Sequence, residues 1–441
     1  MINFDKYLNK KIAVLGIGAE NEALLEWLSR KDISLEIVIY DRREAEQLAD
    51  KVAKINSLSG QLKITWRVGE KSHEGMNSCN YLWRSPGWPI FCPQIQVAIK
   101  SGSQLDSPMN LFFEACPSKN IIGVTGSKGK GTTSSLIYTM IDQVGWPVFL
   151  GGNIGIAPFA FIDLVDEDSW VVLELSSFQL EDLRYSPRIA VVTNLYEEHL
   201  APADPLNPNY HQSREDYWQA KQNIFINQET SDFLIINQKL ENQLDTNQIN
   251  SQIRFFGSSS WVTPLVGEHN KENIAAAQVV AEIIGLPEDK TRQAVAEFKG
   301  LEHRLEFVAE KNGVRYYDDS FATNPIATEI ALKSFEAPII LFLGGADKGN
   351  DFKSLAKLIT TRPVKLIILF DGQASPRIKA DLIEAGYPED KIIPAGSMES
   401  AMESAKQKAA DGDIVLLSTA CASFGIFNNY KERGNLFKQA V

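Results

Sequence analysis

The stretch V-T-G-S-K-G-K-G-T-T-S-S, from Val124 to Ser135, follows the apolar run N-I-I-G-V and precedes S-L-I-Y-T-M-I, a strand turning into a helix. A glycine-rich turn of this kind can cradle phosphates with backbone N–H groups, while a lysine reaches the terminal phosphates and a hydroxyl holds Mg²⁺. Set against G-x-x-x-x-G-K-[ST], the loop keeps Gly129 and Lys130. It has Val124 at the first glycine and Gly131 at the hydroxyl position, with Thr132 one step later. Two other strand ends carry reactive groups. In V-L-E-L-S-S-F-Q-L, Glu174 sits inside an apolar strand, where an unpaired carboxylate is costly and a metal or other cation is the natural partner. In T-N-L-Y-E-E-H-L, His199 follows another strand, and beside a phosphate loop and Glu174 it reads as functional rather than structural.

The elements that must position these groups read as α/β throughout. K-I-A-V-L-G-I-G-A-E-N-E-A-L-L-E-W-L gives a buried strand, a glycine turn and a helix with apolar spacing, and L-E-I-V-I-Y ends at Asp41, Arg42 and Arg43. This is half of a dinucleotide fold in outline, but the third glycine of G-x-G-x-x-G is Asn21, so the turn could equally take another nucleotide such as a uridine diphosphate. R-S-P-G-W-P forms a loop after Y-L-W. Strands S-W-V-V-L-E-L and I-A-V-V-T-N-L follow the phosphate loop, and P-I-I-L-F-L-G-G, V-K-L-I-I-L-F-D-G and D-I-V-L-L-S-T-A alternate with helical stretches near the C-terminus. The fold class expected is α/β in three domains: an N-terminal Rossmann-like domain over 1–105, a central P-loop ATPase-like domain over 106–300 and a C-terminal Rossmann-like domain over 301–441.

Composition narrows the partners. With 441 residues, 44% hydrophobic and 23% charged, the chain has the make-up of a soluble globular protein, and disordered or fibrous classes are excluded. A formal charge of −12 argues against general affinity for nucleic acid, so a phosphorylated ligand must meet locally gathered cations, helix N-termini or Mg²⁺. The polar N-terminus and the lack of an apolar run near ~18 residues predict a cytoplasmic protein without membrane insertion. Cys79, Cys92, Cys116 and Cys421 lie far apart and are expected to be reduced thiols, not zinc ligands.

Taken in order, T-G-S-K-G-K-G-T-T, G-G-N-I-G, L-E-L-S-S-F-Q-L, N-L-Y-E-E-H-L, Y-W-Q-A-K, H-N-K-E-N-I-A-A-A, H-R-L-E-F, D-D-S-F-A-T-N-P, G-G-A-D-K-G-N-D-F and S-T-A-C-A-S-F-G-I-F resemble the Mur ligase family over nearly the whole chain. The family's loop resembles G-T-x-G-K-x-[TS], so Val124 is a variant and not a defect. The resemblance implies an ATP- and Mg²⁺-dependent ligase that joins a carboxylate to an amino group through an acyl phosphate. The nearest branch adds D-glutamate to UDP-N-acetylmuramoyl-L-alanine in peptidoglycan precursor synthesis, and a monomer is implied.

By the same resemblance, Gly126, Ser127, Lys128, Gly129, Lys130, Gly131 and Thr132 hold ATP phosphates, and Asn273, Arg304 and Asp319 serve adenine, phosphate and ribose, with the nucleotide between the second and third segments. Glu174, His199, Thr132 and Lys221, the last as a carbamate, form the metal set, and Lys130, Lys221 and His199 the catalytic set. Gly18, Ala19, Asp41, Arg42, Ser85, Gly87, Asn153 and Ser176 match positions for the UDP substrate, and Thr323, Lys348, Ser423 and Phe427 face the incoming amino acid. Phe321 departs from the lysine of the D-S-K-A-T-N pattern, and Tyr430 replaces a common Phe, which leaves L-glutamate or another acidic amino acid open beside D-glutamate. Folylpolyglutamate synthetases, which also carry Gly after the loop lysine, are a sister alternative, disfavoured by the complete N-terminal nucleotide segment. An NAD-dependent dehydrogenase, a P-loop kinase and a non-catalytic nucleotide sensor leave more of these residues unexplained.

Overall fold

A computed structural model of the chain describes residues 4–58, 61–201, 208–245, 247, 249–347 and 349–441. It divides into two compact units, Met1–Ser259 with Glu272–Ala294, and Ser260–Lys271 with Val295–Val441.

The first unit holds two parallel sheets. In the first sheet, β1 (Lys11–Leu15), β2 (Ser34–Asp41), β3 (Gln61–Val68), β4 (Tyr81–Arg84) and β5 (Gln104–Asp106) lie in the order β3-β2-β1-β4-β5. Ile12 to Leu15 of β1 and the end of β2 are buried, as strands of a parallel sheet joined by βαβ crossovers are. The strand order reverses between the parallel neighbours β1 and β4, so the loops after Leu15 and Arg84 open a crevice at the strand carboxyl ends. In the second sheet, β6 (Ile121–Thr125), β7 (Val148–Gly152), β8 (Trp170–Glu174), β9 (Ile189–Val192), β10 (Phe233–Asn237) and β11 (Gln252–Phe256) lie in the order β11-β10-β9-β6-β8-β7. Here β6 is central, flanked in parallel by β8 and β9, so the turns after all three meet at one end.

The two sheets of this unit are tied by a buried ionic joint. Arg84, 1% exposed at the end of β4, donates Nε to Asp182 Oδ2 at 2.7 Å and Nη2 to the Phe178 carbonyl at 2.9 Å. Its Nη1 donates to the Trp88 carbonyl at 2.9 Å and lies 3.1 Å from Glu181 Oε2. Trp27 Nε1 adds a bond to Asp163 Oδ1 at 2.9 Å.

In the second unit, β12 (Glu306–Lys311), β13 (Val314–Asp318), β14 (Ile339–Leu343), β15 (Val364–Phe370), β16 (Ile392–Ala395) and β17 (Ile414–Leu417) form a sheet in the order β12-β13-β17-β14-β15-β16. Only the β12–β13 pair within it is antiparallel, and the apolar β14 and β17 at its centre are buried on both faces. Both Rossmann-like readings and the central phosphate-loop sheet therefore hold. Arg84→Met should leave Asp182 and Glu181 buried without their cation, a loss of about 3–5 kcal/mol. Thermal unfolding of the full chain is expected to show a midpoint lowered by roughly 5–10 °C, whereas Arg292→Ala, which breaks the exposed pair with Glu288, should leave it unmoved. Equal midpoints for Arg84→Met and wild type would show that the joint is not structural.

Candidate active site

Two of the cavities in the first unit gather the residues of its strand ends. The larger, about 550 Å³, lies in the crevice of the first sheet and gathers Gly18, Ala19, Asp41, Arg42, Ser85, Gly87 and Asn153. Gly16 turns the chain there with a φ of 82°, where a side chain would be strained and would meet Ser85 Oγ. Gly18 then caps the helix Ala19–Ser29, leaving its first N–H groups aimed at the crevice. Asn21, in the place of a third glycine, is fully buried and donates Nδ2 to the Gly16 carbonyl at 2.8 Å, holding the turn closed with a side chain.

Asp41 is engaged by the protein itself. It accepts from Ile17 N at 2.9 Å and from Arg43 Nε and Nη2 at 2.9 and 2.7 Å; against burial, which raises its pKa, these bonds hold it below the ordinary range. Arg42 points elsewhere, with its guanidinium 4.5 Å from the centre of the Trp88 ring. Trp88, which was not singled out from sequence, lines this cavity, as does Arg43, which was named at the strand end but given no role in the site.

A smaller cavity of about 210 Å³ gathers Gly87, Lys130, Asn153, Ser176, His199 and Lys221. It shares Pro86, Gly87 and Asn153 with the larger one. Lys130 brings the phosphate loop to its wall. Gly126 has a φ of 142° and Gly129 one of 83°; a Cβ at the first would strike Thr193 Oγ1 and at the second Asn273 Oδ1. Ser127 Oγ pairs with Tyr217 OH at 2.8 Å, and the Lys128 N–H donates to Asn194 Oδ1 at 2.8 Å while its ammonium pairs with Glu198. Lys130 curls back, donating Nζ to the carbonyls of Gly126 and Ser127 at 3.0 and 3.1 Å. Gly131 is buried and Thr132 half-buried in the first turn of the helix Lys130–Gln143.

Lys221 lies 1% exposed on the helix Arg214–Gln222. Its Nζ donates to the Gly126 carbonyl at 2.9 Å and sits 4.7 Å from the Tyr217 ring centre, one helical turn away. Burial, and then the neighbouring Lys130, drives its pKa well below the ordinary lysine value, despite Glu198 and Glu174. The i, i+4 spacing of Tyr217 and Lys221 was readable in Y-W-Q-A-K; the ring's bond to Ser127 was not.

Glu174 ends β8 at 2% exposure. Oε1 accepts from Asn153 Nδ2 at 3.0 Å, and Oε2 is buried without a hydrogen-bond partner among the described residues. Part of His199 is open to solvent, yet desolvation of its ring, ahead of the opposing Glu198 and the repelling Lys130, lowers its pKa to about 4, so at neutral pH it offers a lone pair. Phe178 lies edge-on to His199 at 5.1 Å and stacks on His211 at 4.8 Å; His211 in turn meets Ser177 Oγ at 2.9 Å. An orphaned carboxylate oxygen and a neutral imidazole suit a divalent cation. Ser176 caps the short helix Ser177–Leu180. Asn273, buried at 3%, braces the loop through a 3.3 Å bond to Thr133 Oγ1.

In the second unit, Asp319 accepts from Leu305 N at 3.1 Å and Ser418 Oγ at 2.7 Å. Arg304 lies over Phe321. Thr323 is half-buried before the capping residue Asn324, Ser423 is 3% exposed, and Phe427 packs edge-on against Phe370 at 5.5 Å in the core. Lys348 lies outside the described residues. His303, Glu306 and Asp318 cluster like metal ligands, but His303 Nδ1 is 2.7 Å from Asp318 and Lys438 occupies both Glu306 oxygens, so the cluster is a structural clamp.

Burial raises Asp319 to about 7, against the bonds from Ser418 and Leu305. Between about 3.8 and 7 the unfolded chain gives up a proton that the folded chain retains, so this carboxyl makes stability fall as pH rises through that window. Asp319→Asn removes the effect. In urea unfolding the variant is expected to match wild type near pH 4 and to exceed it by about 1–3 kcal/mol at pH 8; a difference that does not grow with pH refutes the assignment.

Three family models match successive parts of the chain: Mur ligase MurD-like, N-terminal domain, over 10–106; Mur ligase middle domain, over 124–261; and Mur ligase, glutamate ligase domain, over 303–421. A UDP-N-acetylmuramoylalanine--D-glutamate ligase of Acetivibrio thermocellus is 35% identical, over 99% of this chain and 97% of the relative. One of Clostridium botulinum is 34% identical over 100% and 99%. Among solved structures, MurF from Acinetobacter baumannii shares the fold at a TM-score of 0.59 and 15% identity, covering 97% of this chain and 93% of that one. The MurF ligase from Thermotoga maritima in complex with ADP does so at 0.59 and 16%, covering 93% and 96%. With full-length relatives above 30% identity and family models along its length, the chain belongs to the Mur ligase family of ATP-dependent amide-bond-forming ligases.

Proposed function

We propose that the chain joins D-glutamate to UDP-N-acetylmuramoyl-L-alanine, through an acyl phosphate formed at the expense of ATP, as a monomer in the cytoplasm. The full-length relatives, named as ligases of this specificity, support the substrate pair. The observation that carries the reading is that two cavities share Pro86, Gly87 and Asn153. One suits a nucleotide diphosphate at a helix N-terminus, and the other contains the phosphate-loop lysine. A long substrate anchored in the first would pass its carboxylate along Asn153 into the second. We assign 1–105 to the UDP substrate, 106–300 to ATP and 301–441 to the amino acid.

The larger cavity offers the diphosphate the N–H groups after Gly18 and the Arg42 guanidinium. Lys130, now bonded to two carbonyls of its own loop, turns to the β- and γ-phosphates when they displace those weaker partners. Gly126 and Gly129 leave room for backbone N–H groups to approach the phosphates. Asn273, Arg304 and Asp319 are assigned to the nucleotide, and Thr323, Lys348, Ser423 and Phe427 to the amino acid.

Mg²⁺ fits the orphaned Glu174 oxygen and the neutral His199, with the Thr132 hydroxyl assigned beside them by its position in the loop, and when bound it would offset repulsion between the substrate carboxylate and the γ-phosphate. Burial weakens the hold of Lys221 on its proton and so favours the free amine, the form that adds CO₂ and releases a proton to become a carbamate. The carbamate would place an anion where an ammonium would repel the metal.

Phe321 bears on stereochemistry, since it removes a cation from the acceptor end of the motif. Release of ADP from ATP and Mg²⁺ with UDP-N-acetylmuramoyl-L-alanine should require D-glutamate and be weak with L-glutamate. Preference for L-glutamate would sink the stereochemical assignment alone, and no turnover with either would sink the reading. Lys130→Ala and Glu174→Ala should each lower turnover at least roughly 10²-fold. Lys221→Ala should be nearly inactive and partly restored by acetate or formate; full activity without either would remove the carbamate.

A further inference from the structure

Arg304 stands between two residues in the left-handed region, His303 with φ 63° and Leu305 with φ 47°. Such backbone is unfavourable for residues with side chains and persists where the surroundings hold it. Here every neighbour is pinned. The Phe321 N–H donates to the His303 carbonyl at 2.9 Å, His303 N donates to Glu306 Oε2 at 2.8 Å, and Leu305 N donates to Asp319 Oδ1 at 3.1 Å. The His303 ring is fixed by Asp318 at 2.7 Å. The main chain thus presents the Arg304 side chain from a rigid base.

The guanidinium itself accepts no such restraint from hydrogen bonds among the described residues. Its close neighbour is an aromatic face: Cζ lies 4.0 Å from the centre of the Phe321 ring. Phe321 is 39% exposed and lies outside the hydrophobic clusters that form the unit's core. Its ring is braced edge-on by Tyr430 at 4.9 Å, and Tyr430 is braced by His303 at 5.9 Å. The chain of contacts closes from His303 through Tyr430 and Phe321 back to Arg304. Stacking restrains the plane of a guanidinium while leaving its N–H donors free for a ligand, which a salt bridge would not.

We infer that Phe321 is a positioning residue for Arg304, its ring holding the guanidinium pre-oriented for the phosphates of the nucleotide. The inference rests on the nucleotide role proposed above for Arg304. It gives a partly exposed phenylalanine a task in ATP use beyond the loss of a cation near the acceptor amino acid.

The test uses the full chain, with binding of ADP measured by calorimetry in Mg²⁺ and Michaelis constants measured for all three substrates. Phe321→Leu keeps bulk and removes the π face, and Phe321→Tyr keeps the face. Phe321→Leu should weaken ADP binding and raise the ATP KM about 5- to 10-fold, with the other two KM values within about twofold and Phe321→Tyr close to wild type. In an Arg304→Ala background, Phe321→Leu should add nothing. Nucleotide affinity lost in Arg304→Ala but kept in Phe321→Leu overturns this inference alone, as does an effect confined to the amino-acid KM. Affinity unchanged by Arg304→Ala overturns the nucleotide reading and this inference with it.

Discussion

A lysine amine buried against the carbonyl of Gly126 is the contact around which the first unit's site is arranged. A charged ammonium in that position would face Lys130 and have little water, so the fold favours the neutral amine. The consequences reach outward. Tyr217, a turn earlier on the same helix, packs on the amine and reaches Ser127, so the helix that carries Lys221 also fixes the phosphate loop. The loop in turn depends on the central position of β6, because only there do the turns after β8 and β9 arrive beside it. Glu174 stands at the end of β8 where the first of these turns begins, and the segment leading to His199 follows β9.

Charge is distributed with the same economy. The chain is acidic overall, yet Lys128, Lys130 and Lys221 converge on a loop built to meet phosphate. Their mutual repulsion is relieved in three different ways: Lys128 by the Glu198 carboxylate, Lys130 by loop carbonyls, and Lys221 by a lowered pKa. Among these, Lys130 gives Nζ to the carbonyls of Gly126 and Ser127, bonds weaker than the charge-assisted ones a phosphate would offer.

What the sequence disclosed follows the range of the forces involved. The glycine turns and the phosphate loop were legible because positive φ and helix N-termini are set within a few residues, and alternation of apolar runs with turns marked each sheet. Glu174 was legible because a carboxylate in an apolar strand is costly wherever the strand goes. Trp88 beneath Arg42, the Tyr217–Ser127 bond and the Arg84 joint were not, since each depends on segments brought together by folding. Asp41 shows the opposite case: its placement at the strand end was readable, but its capture by Arg43 and Ile17 N was not.

Phe321 illustrates how a departure from a motif acquires meaning only in three dimensions. Read along the chain, it is a missing cation beside Thr323, and the natural deduction concerns the acidic acceptor. In the fold, its ring lies against Arg304, so the substitution changes what restrains a neighbouring cation as well as removing one. A lysine there would place two like charges side by side, each weakening the other's hold on its plane and water, whereas an aromatic face attracts the guanidinium without occupying its donors. The same position therefore links the two ends of the proposed reaction through electrostatics: less positive potential for an acidic amino acid, and a better-ordered cation for a nucleotide.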